Sequence, residues 1–176
     1  MKKVLIAMLV VSLFLITAYA QAETSWYSPL TAIPVGPNGP VTSVLTVQPY
    51  CCPTTAIEIT ASEVVLEEHS PQWVNLGLTS QMNKVIKGVE IYYEVETATP
   101  GSTYISQVRL TQMTTPDEAL VIHDDPTDLT STDPTSYLSA TGKPKAKVGG
   151  TITLALKVVF GSTNDSIRVG GIKVIY

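Results

Sequence analysis

Three runs of side chains carry the chemistry that this sequence offers. The first is Glu90-Ile91-Tyr92-Tyr93-Glu94-Val95-Glu96. Polar and apolar residues alternate through it, so a strand would set Glu90, Tyr92, Glu94 and Glu96 on one face and Val89, Ile91, Tyr93 and Val95 on the other. Carboxylates beside a phenol can hydrogen-bond sugar hydroxyls, and paired carboxylates on a sheet are how many glycosidases cleave a glycosidic bond. The second run is His123-Asp124-Asp125-Pro126-Thr127-Asp128, followed by Asp133. Calcium takes about six to eight oxygen ligands from flexible loops, which makes Asp124, Asp125, Asp128 and Asp133 a candidate set and calcium the one cofactor to consider. The spacing differs from that of an EF-hand and lacks its terminal bidentate Glu. Asp before Pro or Thr is also ordinary turn chemistry. The third run is Tyr50-Cys51-Cys52-Pro53. Two adjacent cysteines cannot staple distant parts of a fold, which leaves a vicinal disulfide, bonds to another chain, or buried thiols.

The Glu90–Glu96 run resembles the catalytic strand of jelly-roll glucanases, with Tyr92 where those enzymes carry an Asp. That departure, and the presence of only Trp26 and Trp73 as tryptophans, speak for ligand binding or a solvated face rather than catalysis. No G-x-S-x-G elbow joins a serine to His69 or His123, and no P-loop, dinucleotide glycine pattern or zinc spacing occurs. Neither catalytic residues nor an enzyme activity is assigned from the sequence.

Those candidates need a scaffold, and composition describes it. The chain has 176 residues, with 15 acidic and 11 basic side chains. Charged residues make up only 15%, against roughly a quarter in ordinary domains. Thr, Val and Ile together number 56, a β-branched content that favours strands over helices. Net acidity without clustered arginines argues against a nucleic-acid partner. Lys2-Lys3, the apolar stretch from Val4 to Ile16, and Ala18, Ala20 and Ala22 form a secretory leader over 1–22, cut after Ala20 or Ala22. The expected protein is secreted or extracytoplasmic, with no membrane span in the mature chain.

Residues 23–53 hold six prolines and the turn Pro37-Asn38-Gly39-Pro40, so they read as an extended N-terminal arm with one short strand at Val41 to Val47. Residues 54–176 then form the domain. Strands are expected at Ala56 to Thr60, Glu63 to Leu66, Trp73 to Leu78, Lys87 to Glu96, Tyr104 to Met113, Thr151 to Phe160 and Ser166 to Tyr176. Lys87–Glu96 and Tyr104–Met113 read as an antiparallel hairpin around Pro100-Gly101. Residues 114–147 are too long for one loop and should contain short strands. Gly170-Gly171 should be a bulge that switches the facing of the last strand. Outward Lys157 and Lys173 should meet Glu90, Glu94 or Glu96 across strands.

About eight strands, turn clusters between them and no helical period indicate an all-β chain: a single antiparallel two-sheet β-sandwich of jelly-roll type with an N-terminal arm. Two functions compete on such a scaffold. One is a secreted, non-catalytic module that binds an extracellular ligand such as carbohydrate through Glu90, Tyr92, Glu94 and Glu96. The other is a structural subunit of a surface layer or fibre, in which the arm adds a strand to a neighbour. Docking of the arm on its own chain, hence a monomer, is the expectation; a homo-oligomer is the alternative.

Overall fold

The computed structural model describes residues 22–39, 42–51, 56–68, 71–79, 81, 84–115, 118–142 and 151–176. The leader up to residue 21, Val41 and Cys52 lie outside the described residues. The described chain forms eleven strands: β1 (Thr24–Tyr27), β2 (Ile33–Val35), β3 (Leu45–Pro49), β4 (Ile57–Ala61), β5 (Gln72–Thr79), β6 (Gly88–Glu96), β7 (Tyr104–Thr115), β8 (Glu118–Asp125), β9 (Thr135–Ala140), β10 (Thr151–Val159) and β11 (Ser166–Ile175). They build two antiparallel sheets. The first runs β3-β4-β11-β6-β9, with β1 added beside β11; the second runs β2-β5-β10-β7-β8.

The period-two pattern makes this sandwich. Val89, Ile91 and Val95 of β6 and Ile152, Leu154, Leu156 and Val158 of β10 are all buried, and their neighbours along the strand face outward. The two inner faces meet in one core that also contains Phe160, Leu110 and Ile59. In β11 the register against β6 shifts between Val169 and Ile172. Three steps along β11 there match two along β6, so the bulge at Gly170-Gly171 turns Ile167 and Val169 inward before it and Ile172 and Val174 inward after it.

Three expectations are corrected. The strand total is eleven rather than eight, because the 114–147 stretch contributes β8 and β9 and the proline-rich arm contributes short strands. Glu63 to Leu66 is not a strand: Val65 alone is buried and bridges Phe160, while Val64 and Leu66 are exposed. The β6–β7 hairpin does not form either. β6 lies between β11 and β9 in the first sheet, and β7 between β10 and β8 in the second. Alternation reports one buried face and one exposed face, and it reads the same for a hairpin as for strands packed across a sandwich.

The connection after β6 therefore crosses between layers, and so does the one after β10. Asp165 joins them. It is buried at 3% exposure and accepts hydrogen bonds from Thr97 Oγ1 at 3.0 Å and Thr103 Oγ1 at 2.5 Å. Thr103 Oγ1 in turn accepts from the Gly161 amide at 3.0 Å.

The arm segments are extended, as their prolines require, and pair within their own chain: β1 on β11, β2 on β5 and β3 on β4. Leu45 is buried, and Val44 and Val47 pack against the core. Among the described residues no helix is long and apolar enough to cross a membrane.

Urea unfolding should rank three variants. Leu154→Ala should cost about 2–5 kcal/mol through lost burial and a cavity. Asp165→Ala should cost about 1–3 kcal/mol by taking the acceptor from the buried Thr103 hydroxyl. Thr153→Ala, on the outward side of β10, should stay within about 0.5 kcal/mol. An Asp165 variant as stable as the parent would show that the two crossovers hold without their shared carboxylate.

Candidate functional site

Alternation along β6 turns Glu90, Tyr92, Glu94 and Glu96 outward together, as the sequence pattern requires. Antiparallel register then decides what stands beside each. Glu90 lies opposite Lys173 of β11 and Leu138 of β9; Tyr92 lies opposite Ser136; Glu94 lies opposite Arg168. Lys173 Nζ reaches Glu90 Oε2 at 2.9 Å, and Ser136 Oγ donates to Glu90 Oε1 at 2.9 Å. Arg168 is shared more widely. Its Nη1 reaches Glu94 Oε2 at 3.3 Å, its Nη2 contacts Glu96, and its Nε lies 3.7 Å from Glu58 Oε1. Of the two expected lysine partners only Lys173 takes its place on this face. Lys157 belongs to the other sheet and pairs with Glu67 at 3.4 Å.

Aromatic rings lie among these charges. Trp26 of β1 pairs with Lys173 and remains 60% exposed, the most of any large apolar side chain described. Its ring centroid is 5.5 Å from that of Tyr92, with the planes tilted by 33°. Lys173 Nζ stands 5.6 Å from the Trp26 centroid, and the Arg168 guanidinium lies over Tyr50 at 4.2 Å. The glycine bulge creates the space. A Cβ on Gly171 would sit 3.2 Å from Trp26 Cζ3, and one on Gly170 would fill the strip beside Tyr92. The result is a shallow groove of about 400 Å³ lined by Tyr50, Tyr92, Glu94, Ser136, Arg168 and Gly170.

The Glu90 carboxylate is held ionised. Lys173 lowers the Glu90 carboxyl below its ordinary value, burial works against it, and hydrogen bonds from Ser136 and Tyr92 add to the lowering. Lys173 is raised by the same partner. Flat, exposed rings beside fixed acceptors can take a ligand that has an apolar C–H face and hydroxyl edges.

The second candidate set disperses. Consecutive residues of a strand face opposite ways, so Asp124 and Asp125 of β8 part company. Asp124 turns outward and takes Arg109 Nε at 3.1 Å, Arg109 Nη2 at 3.2 Å and Gln107 Nε2 at 2.6 Å. Asp125 faces β9, where its Oδ2 accepts from Ser139 Oγ at 2.6 Å and Tyr137 Oη at 2.8 Å; Ser139 Oγ also meets His123 Nε2 at 2.6 Å. These bonds tie the β8 edge of one sheet to the β9 edge of the other. Asp128 is pushed up by burial and by nearby Glu67. Asp133 offers its main-chain carbonyl to Ser131 Oγ at 2.9 Å. Among the described residues no group of three or more His, Cys, Asp or Glu side chains is placed to hold a metal ion. Cys51 is exposed and adopts φ 57°, in the left-handed region, as the chain turns from β3 towards β4.

Sequence reasoning found the acidic row and missed what surrounds it. Trp26, Tyr50 and Arg168 lie 66, 42 and 76 positions from Tyr92 (92 − 26, 92 − 50, 168 − 92), so no local pattern places them beside that row. The glycine pair was the signal that could have joined them, because a bulge in the strand beside β6 must leave a dip on its outer face.

No protein-family model and no curated protein matches the sequence. Solved structures do match in fold. The chain is similar to the CBM22-1 xylan-binding domain from Paenibacillus barcinonensis Xyn10C, at 6% identity and a TM-score of 0.51 over 90% of this chain and 97% of that one. It is also similar to the CBM22-1–GH10 modules of Clostridium thermocellum endo-1,4-beta-D-xylanase 10B, at 13% identity and a TM-score of 0.49; the match takes in 89% of this chain and spans 29% of the length of that one. A Stig cyclase from Fischerella sp. matches at 11% identity and a TM-score of 0.49, over 91% and 92% of the two chains. The first of these establishes the β-sandwich fold as one that carbohydrate-binding modules share.

The ion pairs on this face make stability depend on acid in a defined direction. A carboxyl whose folded pKa is lowered contributes stability that is complete above its ordinary value of 4.5 and is lost as pH falls through the folded value. Melting temperatures taken between about pH 3 and pH 7 should therefore fall on the acid side. Lys173→Met should flatten part of that fall, since Glu90 then titrates nearer its ordinary value. An equally steep fall in the variant would mean that Lys173 does not hold the Glu90 carboxylate.

Proposed function

We propose that this chain is a secreted, non-catalytic carbohydrate-binding module that takes its ligand on the outer face of the first sheet. One observation carries the reading: exposed Trp26 and half-buried Tyr92 lie 5.5 Å apart over a glycine bulge, beside the acidic row of β6. A pyranose ring presents its C–H face to such a surface and its hydroxyls to the edge. Trp26 and Tyr92 supply the stacking surface. Glu90, Glu94 and Glu96 supply acceptors whose positions are fixed by Lys173 and Arg168. Export rests on the leader pattern of residues 1–22. Fold likeness to a xylan-binding domain at 97% coverage of that domain supports the same reading.

Binding fits this face better than hydrolysis. A glycosidase needs one carboxyl raised in pKa to act as acid and a second on the other side of the scissile bond. Here Glu90, Glu94 and Glu96 share a single strand, Glu58 of β4 is tied to the same Arg168 guanidinium as Glu94, and Glu90 is lowered.

The test is titration of a panel of soluble polysaccharides, read by affinity electrophoresis and calorimetry. At least one glycan should bind. Trp26→Ala and Tyr92→Ala should each weaken that binding by roughly tenfold or more, equivalent to about 1.4 kcal/mol, with an unchanged circular dichroism spectrum. Reducing-end assays on the bound glycan should stay flat. Full affinity in both aromatic variants would move the ligand site off this face.

A further inference from the structure

We infer that the Trp26–Tyr92 face selects glycans that carry no acidic group, and that the donor and charge inventory around the glycine dip sets this choice. The inference rests on the carbohydrate-binding reading and adds the ligand class to it.

Charge on this face is unbalanced. Four carboxylates, those of Glu58, Glu90, Glu94 and Glu96, surround two cations on this face, Arg168 and Lys173. Both cations are ion-paired, and Arg168 Nε, 3.7 Å from Glu58, makes no hydrogen bond. Lys173 Nζ is 2.9 Å from Glu90 Oε2, and Arg168 divides its guanidinium among Glu58, Glu94 and Glu96 while covering the Tyr50 ring at 4.2 Å. A uronate, sulfate or sialate on a ligand that approached Arg168 would stand beside the carboxylates of Glu58, Glu94 and Glu96. Such like-charge contact is costly wherever water is partly excluded.

Hydrogen-bond polarity points the same way. An ionised carboxylate accepts and never donates, so an acidic ligand group requires donors. The hydroxyl of Ser136 already donates to Glu90 at 2.9 Å, and the Tyr92 hydroxyl also contributes to holding that carboxylate. Carboxylate acceptors outnumber the cations on this face four to two. A neutral sugar answers this, because each hydroxyl can donate to a carboxylate and accept from water in the same pose. The aromatic rings are indifferent to ligand charge at the C–H face, so they set affinity and leave selection to the rim.

The experiment compares each neutral polysaccharide of the panel with its carboxymethylated counterpart, at about 10 mM and about 500 mM salt. The neutral form should bind roughly tenfold tighter at low salt, and the gap should close as salt screens the face. Glu94→Gln/Glu96→Gln, which removes two of the four charges and leaves Glu58 with Arg168, should narrow the low-salt gap. The salt series reads the same quantity on the unaltered chain should that double variant fold poorly. Carboxymethylated ligand bound as tightly as neutral ligand at low salt overturns this inference and leaves carbohydrate binding standing. Absence of binding to every neutral member overturns both.

Discussion

One extra residue in β11 governs much of this molecule. The strand enters with Ile167 and Val169 facing the core and leaves with Ile172 and Val174 facing it, which an uninterrupted pleat forbids. Gly170-Gly171 absorbs the change of parity. Two partners then share one side of the strand: β4 pairs with residues 167–169 and β1 with residues 172–175. Because neither glycine carries a side chain, the same step that fits β11 to the core leaves a hollow on the opposite face. The Trp26 ring rests over Gly171, and Tyr92 flanks Gly170. Core packing and the candidate site are thus consequences of a single local irregularity, and a Cβ added at Gly171 would press on the Trp26 ring at 3.2 Å.

Charge is arranged with similar economy. In a chain where only 15% of residues are charged, six charged side chains gather on one sheet face: Glu58, Glu90, Glu94, Glu96, Arg168 and Lys173. Exposed ion pairs add little to stability, since solvent and salt screen them. Their value here is positional. Arg168 holds three carboxylates and one ring, so four side chains from the β3–β4 region and from β6 share one anchor. A ligand meeting such a surface does not have to order it first, and preorganisation is where binding energy is most easily conserved.

Much of the fold was legible because alternation is a direct record of burial. The strands corresponding to β4, β5, β6, β7, β10 and β11, the bulge at Gly170-Gly171 and the two-sheet class all follow from which residues are apolar and at what spacing. Pairing partners are another matter. Nothing in Lys87–Glu96 or Tyr104–Met113 says whether the two strands hydrogen-bond to each other or face each other across the core, and the crossover is fixed by Asp165, whose partners Thr97 and Thr103 are 68 and 62 residues away in sequence. The site divides along the same line. Glu90, Tyr92, Glu94 and Glu96 share a face by local periodicity. Trp26, Tyr50 and Arg168 join them only through long-range register. The acidic run at 124–133 is divided for a local reason: a strand, rather than a loop, carries Asp124 and Asp125, and it sends them to opposite sides.

The placement of Trp26 ties the site to a short strand added beside β11. β1 has four residues, too few to hold themselves, and it stays on β11 through contacts at its flanks. The Tyr176 amide donates to the Glu23 carbonyl at 2.8 Å, Lys84 Nζ reaches Glu23 Oε2 at 2.6 Å, and Gln81 Nε2 donates to Ser25 Oγ at 3.3 Å. Tyr27 adds a hydrogen bond to the Thr79 carbonyl. All of these lie near the surface, where local opening costs least. A ligand stacked on Trp26 contacts the docked strand and has no comparable surface when β1 is released. Linkage then makes occupancy of the face and docking of the N-terminal strand stabilise each other. On the proposed binding reading, the aromatic platform and the strand that brings it form one thermodynamic unit, since the proline-rich segment that places Leu45 in the core also places Trp26 on the outer face.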